Sequence, residues 1–290
     1  MTGRTPQQDA RPALIFLHIP KAAGTTLYTI LRREYSRQHT RMIDGGRVAA
    51  AVAEFKALPL AERAQVRLLM GHMPFGLHAF LPHPARYITL LRDPVERILS
   101  HYHFILRTPH HYLHQAVAGA GMSLHDYVTS GLTTEVDNGQ TRLLAGVDAA
   151  SDAPLPDMLQ QAEMNLNAHF ALAGLSEQFD ESLCLMRRRL GWKHWPLYFK
   201  RNVTKDRPAG EQVTEATLSV IRQRNVYDSA LYARVQRNFQ QILAENAEIM
   251  ENDMRRFSLM NRLYYYQTLP LQAAIRAKKQ LGWRSSRAAR

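Results

Sequence analysis

Ala13-Leu14-Ile15-Phe16-Leu17-His18-Ile19-Pro20-Lys21-Ala22-Ala23-Gly24-Thr25-Thr26-Leu27 is the stretch from which the fold is read. The apolar run 14–17 has the length of a strand buried on both faces. Pro20 stops the strand, because it offers no N–H and fixes its own φ. The small residues Ala22, Ala23 and Gly24 let a backbone loop close tightly. Thr25 and Thr26 then open a helix whose apolar stripe is Leu27, Ile30 and Leu31, at i, i+3, i+4 spacing. Strand, tight loop with a lysine, and helix N-terminus is the layout of a phosphate cradle. The exposed N–H groups and the positive end of the helix dipole favour an anion, and Lys21 adds a full charge. The order differs from a Walker A loop, in which the lysine follows the glycines and directly precedes Ser/Thr. Taken alone, the stretch also fits an ordinary strand-to-helix turn with a surface lysine.

Working outward, residues 48–58 read as a short helix ended near Pro59, and 66–70 as a second strand leading into Gly71-His72-Met73. Residues 86–91 are rich in β-formers and predict a third strand. It ends at Arg92-Asp93-Pro94, where Asp93 is a candidate N-cap and Pro94 the first residue of a helix reaching Arg107. Residues 110–167 read as helical and loop-rich, Phe170–Leu175 as a fourth strand and Phe179–Leu190 as a helix. Arg187, Arg188 and Arg189 suit that helix's C-terminus as well as any ligand. A polar basic loop spans 200–208, and helices are expected over 211–225 and 229–254. Strands that each end in polar residues before a helix or turn predict an α/β fold, a P-loop-like parallel β-sheet flanked by helices with further helices in the C-terminal half. Ligands of such sheets bind beyond the carboxyl ends of the strands, where Lys21, His72 and Arg92 all fall.

At 290 residues the chain has room for one α/β domain with a substantial core or at most two small domains, and its composition, 46% hydrophobic and 21% charged, is that of a globular protein. Cys184 is the single cysteine; it lies between Leu183 and Leu185 and reads as a buried structural thiol. The first twelve residues form no apolar signal segment and no run approaches a membrane span, so the expectation is a soluble, cytoplasmic protein. Net charge is +12, but the nine Lys/Arg of residues 255–290 face no Asp or Glu there, which leaves +3 for the rest. General nucleic-acid binding is therefore not expected. The basic tail reads first as a solvated end, and second as a contact for an anionic membrane surface or polyanionic acceptor, with Leu271, Ile275 and Leu281 loosely amphipathic.

Lys21 with the start of the helix at Gly24-Thr25-Thr26 makes one candidate anion site. Arg92 makes a second with Ser100, two helical turns along; a guanidinium fork and a hydroxyl suit a terminal phosphate. Two separated anion sites imply a nucleotide phosphorylated at both ends.

The segment 18–26 resembles the 5′-phosphosulfate loop of PAPS-dependent sulfotransferases, and 91–102 resembles their 3′-phosphate segment, with a further patch at 202–205. The nearest branch by these motifs contains the heparan sulfate 2-O-sulfotransferases and their soluble bacterial relatives. The resemblance implies 3′-phosphoadenosine-5′-phosphosulfate (PAPS) as donor, 3′,5′-ADP (PAP) as product, sulfuryl transfer to a hydroxyl or amine, with a glycan hydroxyl the expected acceptor, and no required metal. Lys21 would stabilise the bridging oxygen, Ala22, Ala23, Gly24, Thr25 and Thr26 would hold the 5′-phosphate, and Arg92 and Ser100 the 3′-phosphate. Arg201, Asn202, Thr204 and Lys205 would complete the donor site. His72 aligns with the catalytic histidine, and an imidazole suits removal of the acceptor's proton. His101 and His103 read as packing or surface residues. On this reading residues 1–12 are a flexible N-terminus, 13–254 the sulfotransferase domain and 255–290 a basic helical extension. A kinase-like phosphotransferase on the same fold is the alternative.

Overall fold

The computed structural model describes residues 11–147, 155–199 and 213–270. The first half runs β1 (Ala13–Leu17), α1 (Gly24–Glu34), β2 (Thr40–Ile43), α2 (Val48–Ala57), the single turn α3 (Leu60–Arg63), β3 (Leu68–Gly71), β4 (Ala85–Leu91) and α4 (Pro94–Arg107). It continues with α5 (Leu124–Thr129), α6 (Gly139–Ala145), α7 (Leu155–His169), β5 (Phe170–Leu175), α8 (Phe179–Leu190), α9 (Glu215–Arg224), α10 (Val226–Glu245) and α11 (Ala247–Gln267).

The strands form one sheet in the order β2-β3-β1-β4-β5, with every pairing parallel. β1 is central and all five of its side chains are buried. That burial on both faces explains its unbroken apolar run, since helices cover a parallel sheet on either side. The α/β expectation holds, and three strand ends converge. Leu17 pairs with Gly71 in the β1–β3 register and Phe16 with Ile88 in the β1–β4 register. The loops after β1, β3 and β4 therefore leave the sheet side by side.

Several elements differ from expectation. β2 is an edge strand of four residues in which only Ile43 is buried, so it carries no apolar run to read. The second strand begins at Leu68, because the Val66 N–H is engaged by the Arg63 carbonyl in a turn. The helix expected over 211–225 starts at Glu215, where the Thr214 hydroxyl accepts from the Thr217 N–H as its N-cap. The helix expected over 229–254 is two helices. Asn246 leaves helical geometry and its side-chain amide donates to the Ile242 carbonyl, ending α10. α11 runs through position 254 without interruption, and Phe257 is buried in the core.

The Arg187–Arg189 cluster is structural. Arg187 lies 4.2 Å over the Trp195 ring, Arg188 pairs with Asp253, and Arg189 donates to the Ala171 carbonyl at 2.6 Å. Cys184 is buried and burial pushes its thiol up to about 12, so it is inert at neutral pH.

Candidate active site

The loop after β1 adopts a conformation that few L-residues accept. Lys21 has φ 67° and Ala23 φ 59°, both left-handed. Each such residue costs on the order of 1 kcal/mol, a cost characteristic of ligand-holding loops. Ala23 is the N-cap of α1 and offers no side-chain oxygen. The Thr25 and Thr26 hydroxyls do not cap the helix either. As a result the N–H groups of Lys21, Ala23, Gly24 and Thr25 donate to no acceptor among the described residues. These open donors at a helix N-terminus are what an anion requires.

The β1–β3 register brings His18 and His72 together, each one residue beyond a paired strand end. Their rings stack at 4.2 Å between centroids, 29° apart. His72 Nδ1 lies 3.0 Å from the His18 carbonyl oxygen, which can only accept. Nδ1 therefore carries the hydrogen, and Nε2 keeps its lone pair, with no partner among the described residues. Burial lowers the His72 pKa and Lys21 lowers it further, opposed by Glu135 and by the bond to the His18 carbonyl. His72 is thus a neutral base at neutral pH.

His18 itself is buried, with Nδ1 2.9 Å from the Tyr28 hydroxyl, and burial first and His72 second hold its pKa well below the usual value. Nothing in the local sequence assigns His18 or Tyr28 a role. Only the strand register, which the sequence does not state, makes His18 the neighbour of His72. Glycines make the room: a Cβ on Gly24 would lie 2.0 Å from His18 Cδ2 and Nε2, and one on Gly45 would lie 2.4 Å from His72 Cδ2. Gly24→Ala is therefore expected to push the His18 ring from its stack and cost roughly 1–3 kcal/mol. Thermal unfolding checks this; an unchanged midpoint would show that the ring position is unconstrained.

Arg92 is fixed at both ends. Gln140, on α6, accepts from its backbone N–H at 3.0 Å and donates to its carbonyl at 2.9 Å. The Arg92 guanidinium donates to the Lys21 carbonyl at 3.1 Å and lies 3.5 Å from Glu96. This ties the β4 end to the β1 loop. Ser100 and Phe104 follow Glu96 at four-residue steps on α4, one helix face. The Lys21 ammonium sits 3.7 Å over the Phe104 ring, with no carboxylate at ion-pairing distance among the described residues. Burial first, then Arg107 and Arg92, lowers its pKa to about 8, partly offset by Glu135. Lys21, Arg92 and the open N–H groups form a cationic cluster suited to phosphate-type anions.

The remaining histidine readings are consistent with the structure. His101 is buried against Tyr127, its Nδ1 2.9 Å from the hydroxyl, and burial together with Arg97 holds it near a pKa of about 3. His103 contributes its carbonyl to Arg107. Arg201, Asn202, Thr204 and Lys205 lie outside the described residues.

A model of the galactose-3-O-sulfotransferase family matches residues 2–288. Human galactosylceramide sulfotransferase is 28% identical over 255 residues, covering 82% of this chain and 59% of that protein. Bovine galactose-3-O-sulfotransferase 3 is 25% identical over 323 aligned positions, covering 97% and 72%. The chain spans about three fifths of the length of the galactosylceramide sulfotransferases it matches. Among solved structures, mouse sulfotransferase SULT7A1 complexed with PAP aligns at a TM-score of 0.37 and 13% identity, covering 77% of this chain and 66% of that one. The motifs resemble the heparan sulfate 2-O branch, but the match over nearly the whole length is to another branch: this chain belongs to the galactose-3-O-sulfotransferase family.

Proposed function

We propose that this chain transfers the sulfuryl group of PAPS to a hydroxyl of a galactose-containing acceptor and releases 3′,5′-ADP. The observation that carries this reading is the Lys21–His72 arrangement. An ammonium without a carboxylate partner and a set of open N–H donors lie on the loop beside the base, whose Nε2 lone pair is unclaimed. The donor set suits the nucleotide: Ala23, Gly24 and Thr25 offer open N–H groups for the 5′-phosphate, and Arg92 with Ser100 suits the 3′-phosphate. The Ala22 and Thr26 N–H groups expected with them instead donate to the Ile19 and Ala23 carbonyls at 3.3 and 3.2 Å. The role of residues 201–205 remains part of the proposal.

In the reaction, His72 Nε2 takes the proton of the attacking hydroxyl as the new O–S bond forms. Lys21 meets the negative charge left on the phosphate oxygen as the old S–O bond breaks. A cation placed where charge develops is the larger electrostatic contribution to such a step. The kinase-like alternative has no support, because Lys21 precedes the glycine and the family matched is a sulfotransferase family. The acceptor follows that family: galactosylceramide and galactose are named for the relatives, and a galactoside is the acceptor to try here.

Calorimetric titration with 3′,5′-ADP, with ATP and 5′-ADP as controls, tests the donor site. Native chain is expected to prefer 3′,5′-ADP, and Arg92→Ala to weaken it by roughly 10–100-fold, the worth of charge-assisted hydrogen bonds. No preference for the 3′-phosphate would overturn the reading.

A further inference from the structure

The last long helix presents a surface that the reaction does not use. On α11 the core-facing side is Met250, Asp253 and Phe257, all buried. At 100° per residue, Arg255, Leu259, Arg262, Leu263 and Tyr266 fall on the opposite side and Arg256 on the flank, while Glu248 and Glu251 share the outer side in the first turns. Leu259, Leu263 and Tyr266 are 51%, 54% and 61% exposed. The outward side of a surface helix is ordinarily polar, whereas here, from Arg255 to the end of α11, apolar and cationic residues alternate without an acidic one. Arg255 pairs with Glu251 one turn earlier, while Arg256 and Arg262 have no ion-pair partner among the described residues. Residues 255–290 hold nine Lys/Arg and no acidic residue.

We propose that the outer side of α11 docks on an anionic lipid surface, with Leu259, Leu263 and Tyr266 entering the headgroup boundary and Arg256 and Arg262 meeting the lipid charges. Charge complementarity selects this occupant. A second copy of the same side would set like charges against each other, and a wholly polar polyanion leaves the leucines without a role. No helix among the described residues is long and apolar enough to cross a membrane, so the contact lies in the interface plane. Tyrosine is also a side chain that favours that boundary. The inference is independent of the sulfuryl-transfer reading.

Co-sedimentation of the full chain with phosphatidylcholine vesicles, with and without phosphatidylserine, tests it without donor or acceptor present. Binding is expected only with phosphatidylserine and to weaken in high salt. Leu259→Asn/Leu263→Asn leaves net charge unchanged and both positions are exposed, so its unfolding midpoint should stay put while affinity falls about tenfold or more. Undiminished binding of that variant, or no binding of the native chain, would overturn the proposal. So would a lipid-free dimer that the variant dissolves, which assigns the surface to a second copy. Equal, leucine-dependent binding of an acidic polypeptide would assign it to a protein partner and likewise overturn it.

Discussion

His72→Ala is expected to lower the rate of transfer to a galactoside by about 10²–10⁴-fold, the usual contribution of a positioned general base, while leaving 3′,5′-ADP affinity near native. The prediction follows from the tautomer. Because the Nδ1 hydrogen is held by the His18 carbonyl at 3.0 Å, the ring can serve only through Nε2. Parallel loss of nucleotide binding and turnover would instead make His72 a structural residue. The pH profile gives a second readout. Burial lowers the His72 pKa below its ordinary value, so the base is free at neutral pH and kcat/KM falls as pH drops through that lowered value. Lys21, at about 8, loses its charge as pH rises, which sets the alkaline limb of the free enzyme. Lys21→Arg keeps its charge throughout and should remove the alkaline limb, whatever it does to the maximum. A limb that persists in that variant belongs to another group.

The parts of this arrangement that were legible in sequence are those written in local order. A buried strand, a proline, small residues and a helix start announced the loop at 18–26, and Asp93-Pro94 announced α4, whose Asp93 carboxylate indeed accepts from the Glu96 N–H at 3.0 Å. Each signal lies within a few residues of the element it specifies. What escaped is non-local. The pairing of Leu17 with Gly71 makes His18 the neighbour of His72, and nothing near either histidine in the chain states it. Gln140 reaches Arg92 across 48 positions and reads in sequence as one polar residue of a short helix. The edge strand β2 was hidden because an edge needs little burial. The break at Asn246 was missed because apolar periodicity continues on both sides of it, and a single side chain bonding back to Ile242 decides the matter.

The buried charges behind Arg92 lead to the other large effect. Arg97 is 0% exposed on α4; its guanidinium donates to the Glu135 carboxylate at 3.0 Å and to the Glu135 carbonyl, and lies 3.7 Å from Asp228. Asp228, equally buried at the start of α10, accepts from the backbone N–H groups of Gln140 and Thr141 at 3.1 and 2.7 Å and from the Thr141 hydroxyl at 2.8 Å. It therefore holds the N-terminus of α6, and α6 carries the Gln140 that brackets Arg92. Arg97→Met would leave Asp228 buried without its cation, so a loss of about 3–5 kcal/mol is expected, against about 0–1 kcal/mol for an exposed ion pair. Denaturant unfolding measures it. Adding Asp228→Asn removes the uncompensated charge while an amide oxygen can still accept from Thr141, so Arg97→Met/Asp228→Asn should recover at least about 1 kcal/mol of that loss. Strictly additive losses would show that the two side chains act separately and that Asp228 matters only as the cap of α6. If the coupling is found, the position of Arg92 at the proposed phosphate site depends on a charge pair buried behind it, and 3′,5′-ADP affinity should fall in Arg97→Met and return in part with the second substitution.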